Sequence, residues 1–350
     1  MTHTHYRVGI IGAGRIASTI QDEIETAPFS FLLPYSHAGA YAAHPATETI
    51  AVADPNTERR EAFGERWGVA RRYADYREML AEEALDIVSV CVPTRAHAEV
   101  MAAVAGSGVR GVFMEKPVAQ TLREADAMIA AVESAGMKSV VNHVRTFDPY
   151  YRRIRWLIDT GAIGQVRTVM AHWHEGLSFG GSHLFDLLRF LLGSEAAWVS
   201  GRRDNTPGLF DSGGSGAIGF SNGVEVFLNL REGHAAPREI DVVGDAGRIR
   251  AGDTLFPELY TKDPASPFGE LMRRPFPGSV VGTSPMTVAV DELVRAIESG
   301  EKPGSDLRDG RANLEIAVAF HLSHRERRPI DLPVSASDFD LAVEDPWGRA

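Results

Sequence analysis

Gly12-Ala13-Gly14-Arg15-Ile16-Ala17 stands directly after the apolar run Arg7–Ile11, and it opens 142 residues in which short apolar runs alternate with helix-period segments. That alternation restricts the fold, because it is the pattern of a parallel sheet whose strands are joined by crossover helices. Strand candidates are Arg7–Ile11, Thr49–Ala53, Ile87–Val92, Val112–Met114 and Ser139–Val141, with a weaker one at Ala70–Tyr73. Helices are expected at Thr57–Trp67, ending at Gly68, at Thr94–Ala105, ending at Gly106-Ser107-Gly108, and from Thr121, where Thr121 and Glu124 form a capping box, to Gly136. A glycine-rich turn is common. After a first strand and before a helical stretch it takes on the form of the dinucleotide fingerprint. Gly12 permits the tight turn, Gly14 lets backbone approach a pyrophosphate, Ala17 keeps the helix close to the sheet, and the helix N-terminus offers an anion site.

The second strand ends at Asp54, where a carboxylate can accept hydrogen bonds from ribose hydroxyls and repel a 2′-phosphate, which favours NAD over NADP. The competing reading is a helix-capping aspartate before Pro55. Arg59 and Arg60 keep NADP open as the lesser alternative. Asp54 also arrives forty residues after Gly14, where about twenty is usual. The excess lies between Thr19 and Ser36 and contains Asp22, Glu23, Glu25, Pro28, Phe29, Phe31 and Pro34. It reads either as an insertion walling the substrate cleft or as a packing elaboration.

After Asn142 the rhythm changes. Pro149–Thr160 has a helical pattern closed by Gly161-Ala162-Ile163-Gly164. Alternation then marks antiparallel strands at Gln165–Glu175, Gly214–Phe220, Val224–Leu230, Glu239–Val243 and Arg248–Ala251. Helices are expected at His183–Leu192, Met286–Ser299 and Gly310–Ser323, and the Pro/Gly-rich stretch Phe256–Pro285 as an irregular excursion. The expected organisation is therefore an α/β dinucleotide-binding domain with a parallel, doubly wound sheet over residues 1–142. An α+β domain over 143–350 follows, with a large, mostly antiparallel open sheet, for substrate binding and oligomerisation.

A net charge of −11 argues against nucleic acid or an anionic membrane surface as partner. The single cysteine, Cys91, lies in the apolar run Ile87–Val92, so neither an intrachain disulfide nor a cysteine-based zinc site is available. The N-terminus enters a strand almost at once, and no uninterrupted apolar run approaches the length of a membrane span. The expectation is a cytoplasmic protein.

Glu115-Lys116-Pro117 follows the run Val112-Phe113-Met114. Alone it is a surface-loop tripeptide. At the carboxyl end of a parallel strand, downstream of the fingerprint, it occupies the edge where ligands of open α/β sheets bind. Oxidising an alcohol sends a hydride to a nicotinamide and a proton to a base within hydrogen-bond reach. Lysine serves as that base where burial and neighbouring positive charge lower its pKa. Pro117 fixes the local backbone, and a cis Lys116–Pro117 bond is expected.

Together with Gly12–Ala17, Ala51-Val52-Ala53-Asp54-Pro55, Val92-Pro93-Thr94 with His97, Gly161–Gly164 and Gly181-Ser182-His183-Leu184-Phe185-Asp186, this tripeptide resembles the Gfo/Idh/MocA family of nicotinamide-dependent sugar and cyclitol oxidoreductases. The second half is similar to the family in strand rhythm and late helices only. The resemblance implies a sugar, sugar derivative or cyclitol as substrate, NAD as cofactor, and a homodimer or homotetramer. It implicates Lys116 and His183 in catalysis, with a helix-start histidine capped by Ser182 as the other reading of His183. Gly12, Gly14, Arg15, Ile16, Asp54, Pro93, Thr94, His97, Glu115 and Lys116 fall at cofactor positions. Asp186, one turn beyond His183, orients substrate or His183, and Glu115 anchors its turn. Arg145 is a substrate contact or a domain-joining salt bridge. His172 and His174 are read on one face of a strand, with His174 reaching the substrate. With His183 they invite a metal-site reading, which no tight ligand spacing supports. The family's aspartate four residues before the histidine is Phe179 here, so Lys116 and His183 act alone or with another carboxylate such as Glu175. The same site would also suit a redox-neutral enzyme that oxidises its substrate transiently, or a nicotinamide-sensing regulator.

Overall fold

A computed structural model describes residues 5–27, 30–174, 176–204, 211–231, 238–253, 255–278, 283–335, 339 and 341. Two compact units emerge, one from residues 1–148 and 282–311 with 344–350, the other from 149–281 and 312–343.

The first unit carries a six-stranded, all-parallel sheet in the order β3-β2-β1-β4-β5-β6, formed by β1 (Tyr6–Ile11), β2 (Thr47–Ala53), β3 (Arg71–Tyr73), β4 (Ile87–Val90), β5 (Gly111–Met114) and β6 (Lys138–Val141). This is the strand order of doubly wound dinucleotide-binding sheets. Every residue of β4 and β5 is buried, as expected of central strands covered on both faces. The connecting helices are α1 (Ile20–Glu25), α2 (His37–Ala43), α3 (Thr57–Trp67), α4 (Tyr76–Glu82), α5 (His97–Ala105), α6 (Leu122–Ser134) and the single turn α7 (Val144–Phe147). Asn56, rather than Asp54, caps α3, accepting the Arg59 N–H at 2.9 Å. Thr121 and Glu124 close the expected capping box on α6. The late helix α10 (Pro285–Ser299) also belongs to this unit and lies hard against β5, where a Cβ at Gly111 would meet Ile297 at 2.7 Å.

The helix expected directly after the fingerprint is divided. Residues 15–19 form turns, α1 has six residues, and α2 resumes later. Backbone bonds close the gap: the His37 N–H donates to the Ile16 carbonyl at 3.2 Å and the Ala38 N–H to the Ala17 carbonyl at 3.0 Å. These bonds set the start of α2 against Ile16 and Ala17, where the excursion of residues 18–36 begins. Local hydrogen bonding cannot reveal this, because the two halves are separated in sequence. Pro28 and Phe29 lie outside the described residues.

In the second unit nine strands run β14-β13-β12-β11-β7-β10-β9-β8-β15. They are β7 (Val166–His172), β8 (Ala196–Arg203), β9 (Gly214–Phe220), β10 (Glu225–Asn229), β11 (Glu239–Gly244), β12 (Gly247–Gly252), β13 (Leu255–Lys262), β14 (Leu271–Arg274) and β15 (Ile330–Asp331). All pairs are antiparallel except β7 with β10. One buried row crosses eight of these strands in register: Ile330, Val199, Ile218, Val226, Val169, Val242, Ile249 and Leu259. The helices of this unit are α8 (Pro149–Asp159), α9 (Gly181–Leu192) and the greater part of α11 (Leu307–Glu326). Phe320 of α11 fills the space left by Gly201 and Gly216 on adjacent strands.

Two expectations are corrected here. Phe256–Pro285 is not irregular throughout, since it contributes β13 and β14, and residues 279–282 of it lie outside the described set. Its Pro and Gly residues fall largely in the β13–β14 connection and after β14. The strand at Gln165–Glu175 ends at His172, so His174 lies beyond it, and Glu175 is outside the described residues.

Candidate active site

Three segments of the first unit build the cofactor end. Gly12 has φ +93°, and a Cβ there would stand 2.7 Å from the Cys91 carbonyl oxygen, so only glycine lets the first turn pass the end of β4. Gly14 faces open space, with nothing within 4 Å of where a Cβ would stand. A cavity of about 660 Å³ begins there and is lined by Ala13, Gly14 and Arg15 on one side and by Arg59, Phe63 and Arg66 of α3 on another. Asp54 ties the turn to the second strand: Oδ2 accepts the Ala13 N–H and Oδ1 the Asn56 N–H, each at 2.8 Å. The same carboxylate therefore braces the fingerprint and opens the turn into α3. Four lone-pair directions leave it acceptor capacity for a ribose hydroxyl. Ile16 is half-buried and gives its carbonyl to α2, while Arg15 is exposed. Room at Gly14, a turn fixed by Asp54 and a carboxylate at the ribose position fit a bound nicotinamide dinucleotide.

Lys116 is half-buried immediately after β5, and the Lys116–Pro117 bond is cis. Beside it, Glu115 Oε1 accepts from Asn142 Nδ2 at 2.7 Å and meets His37 Nε2 at 3.0 Å. His37 Nδ1 lies 2.9 Å from Ser89 Oγ, which is 2.9 Å from the Tyr41 hydroxyl. Burial alone would raise the Glu115 pKa. The His37 hydrogen bond and charge, with Lys116 and Asn142 adding to them, outweigh burial and hold it below the ordinary carboxylate range. An ionised carboxylate under the Lys116 backbone is the result. Sequence reading expected Glu115 to anchor its turn but missed His37, Ser89 and Tyr41, which become neighbours only because α2 returns to the sheet behind β4.

Pro93 and Thr94 follow β4, with Thr94 buried. His97, expected at the cofactor, is 1% exposed, with Nε2 2.9 Å from the Val92 carbonyl and Nδ1 3.1 Å from that of Val118. It braces the loop after β4 against the segment after Lys116. Burial lowers its pKa. Arg145 is buried in α7, two residues beyond His143, whose Nδ1 lies 2.9 Å from Ser305 Oγ.

In the second unit, His183 sits half-buried in the first turn of α9, after a π-helical turn at Gly176–Gly180. Ser182 Oγ donates to the Phe179 carbonyl at 2.9 Å. The Asp211 carboxylate ties down this turn. It accepts the Ser178 N–H at 2.8 Å and the Phe179 N–H at 2.6 Å, and a Cβ at Gly176, where φ is +76°, would stand 2.3 Å from Asp211 Oδ2. Sequence reading missed Asp211 because it lies thirty-two residues downstream of Phe179. Asp186 is buried and accepts from Asn313 Nδ2 at 3.0 Å, and the same Asn313 Oδ1 is 3.4 Å from Arg189. Asn313 thereby ties Asp186 and Arg189 of α9 to α11. His174 is half-buried, and His172 Nδ1 lies 3.4 Å from Asn229 Nδ2. Among the described residues no cluster of His, Cys, Asp or Glu could hold a metal ion, and no helix is long and apolar enough to cross a membrane.

The chain belongs to the Gfo/Idh/MocA oxidoreductase family: its NAD-binding Rossmann-fold model matches residues 6–143 and its C-terminal alpha/beta model matches residues 155–332. Among its relatives is inositol 2-dehydrogenase of Rhizobium meliloti, 27% identical over 93% of this chain and 99% of that protein. The scyllo-inositol 2-dehydrogenase (NAD(+)) of Bacillus subtilis is 27% identical over 86% of this chain and 94% of its own. The WlbA dehydrogenase of Bordetella pertussis, solved in complex with NADH and UDP-GlcNAcA, shares the fold with a TM-score of 0.78 at 20% identity, covering 95% of this chain and 99% of that one.

Proposed function

We propose that the protein is an NAD(H)-dependent oxidoreductase acting on a secondary hydroxyl or ketone of a sugar, sugar derivative or cyclitol. The observation that carries this reading is Lys116 at the carboxyl end of β5, seated on the braced Glu115 in a sheet that also presents the fingerprint. The substrate class rests on the inositol dehydrogenases among the relatives. Bound nicotinamide supplies the hydride acceptor or donor. Gly12, Gly14, Arg15, Ile16 and Asp54 hold the adenosine and pyrophosphate end, and Pro93, Thr94 and Glu115 shape the other. Asp54 places negative charge at the ribose, which favours NAD over NADP. Lys116 takes the proton from the substrate hydroxyl or returns it, and His183 is the second proton-handling group. Arg145 and His174 contact the substrate, and Asp186 orients α9.

In this reading residues 1–142 form the dinucleotide half, supported by α10, and residues 143–350 the substrate and oligomerisation half. Partners are a small carbohydrate or cyclitol and further copies of the chain. Met170 and Phe227 are register neighbours on adjacent strands and are 46% and 42% exposed, an apolar face suited to a homodimer or homotetramer.

Screening polyols and sugars with NAD, followed by absorbance at 340 nm, tests the activity. A substrate-dependent rise stoichiometric with product is expected, and product formation without it would indicate redox-neutral chemistry instead. Lys116→Ala should reduce turnover by about 10²–10⁴-fold, the range of a general base, with NADH affinity nearly unchanged. Full turnover in that variant would remove Lys116 from the chemistry.

A further inference from the structure

Two arginines that line the cavity at the fingerprint are each held by a carboxylate of the excursion. Arg15, the residue after the second fingerprint glycine, donates from Nε to Glu23 Oε1 at 2.7 Å and from an η nitrogen to Glu23 Oε2 at 2.6 Å. Arg66 on α3 makes the same two-pronged contact with Asp22, at 2.8 and 2.6 Å. Arg59, the third arginine lining the cavity, makes no side-chain bond to a described residue.

Asp22 and Glu23 are not loosely presented. They lie on α1, whose Ile20 and Ile24 are buried. The segment around α1 is pinned by the Trp67 indole N–H, which donates to Ser18 Oγ at 2.8 Å, and by the Tyr35 N–H, which donates to Gln21 Oε1 at 3.1 Å. Exposed pairs of this kind contribute little to stability. Their effect is on charge and donor availability. A 2′-phosphate is recognised by guanidinium donors near the end of the second strand. Here two of the three guanidinium groups are already engaged in fork geometry, and a 2′-phosphate reaching them would meet two carboxylates.

We propose that Glu23, with Asp22 beside it, selects NAD(H) against NADP(H) by occupying Arg15 and Arg66 and keeping their donors from a 2′-phosphate. This rests on the NAD reading above and assigns the excursion of residues 18–36 a role in cofactor choice. It adds to the repulsion from Asp54, since it acts on the arginines rather than on the ribose.

The test is binding rather than turnover. Dissociation constants for NADH and NADPH are measured by fluorescence titration on the parent protein, Glu23→Gln, Asp22→Asn, the double variant, and the double variant carrying Arg15→Ala. The parent should prefer NADH. The double variant should shift the NADH-to-NADPH preference about tenfold toward NADPH, the scale of one charge-assisted hydrogen bond, chiefly through tighter NADPH binding. Arg15→Ala should abolish that gain, which a merely structural role for the acids would not do. The single variants, at exposed positions, carry the test if the double variant does not fold. A parent that prefers NADPH, a preference unmoved by any acid variant, or a gain that survives Arg15→Ala would overturn the proposal while leaving dinucleotide binding intact. A parent that binds neither dinucleotide would overturn the NAD reading and this proposal with it.

Discussion

Gly12 and Gly14 are two residues apart in one motif and do different physical work. Gly12 is required by backbone: its φ of +93° and the Cys91 carbonyl 2.7 Å from a Cβ leave no room for a side chain. Gly14 is required by nothing in the protein itself, since no atom lies within 4 Å of a Cβ there. Gly12→Ala should therefore lower the unfolding free energy by about 2 kcal/mol or more, from strain and overlap together. Gly14→Ala should leave it within about 0.5 kcal/mol, as for a surface change, yet weaken dinucleotide binding. Denaturant unfolding and NADH titration of both variants check the contrast, and equal destabilisation would contradict it. The sequence pattern placed both glycines after the first strand and Asp54 at the end of the second. It could not show that Asp54 also accepts the Ala13 N–H, because that bond joins residues forty-one positions apart.

At the scale of elements, the π turn before α9 depends on a residue from another loop. Asp211 accepts two of its N–H groups, and replacing a shared acceptor leaves both donors unsatisfied where water is scarce. Asp211→Ala should cost about 1–3 kcal/mol and reduce turnover through the loosened His183, whereas Asp211→Asn, which keeps one acceptor oxygen, should recover about half of the stability. Unfolding curves and initial rates of the two variants measure this, and identical behaviour of Ala and Asn would exclude the acceptor role. Elements with strong local signals were legible: α3, α6, β9 and α10 fall within a residue or two of expectation, because caps, Gly stops and alternation are local. The divided helix α1–α2 and the strands β8, β13 and β14 were not. The backbone bond from His37 to Ile16 spans the excursion, and the expected strands omitted Ala196–Arg203, whose pairing partners β9 and β15 are supplied from elsewhere in the chain.

For the whole molecule, the sheet of the second unit divides its faces cleanly. Val199, Ile218, Val226, Val169 and Val242 point inward, while Met170 and Phe227 point outward and remain exposed. If that face joins copies of the chain, Phe227→Asp should lower the mass seen in sedimentation to that of a monomer while the circular dichroism spectrum stays unchanged. An unaltered mass would place any interface elsewhere. What the sequence alone determined was the parallel dinucleotide-binding sheet, the antiparallel half after it, the fingerprint and Lys116, because periodicity, turns and short motifs are written in neighbouring residues. Only the tertiary structure decided that Glu115 rests on His37 and Asn142, that Asp211 holds the turn before α9, and that Glu23 and Asp22 hold the arginines at the cavity. Each of these joins residues far apart in the chain or across an interrupted helix, and such partners are fixed by how the elements pack rather than by local pattern.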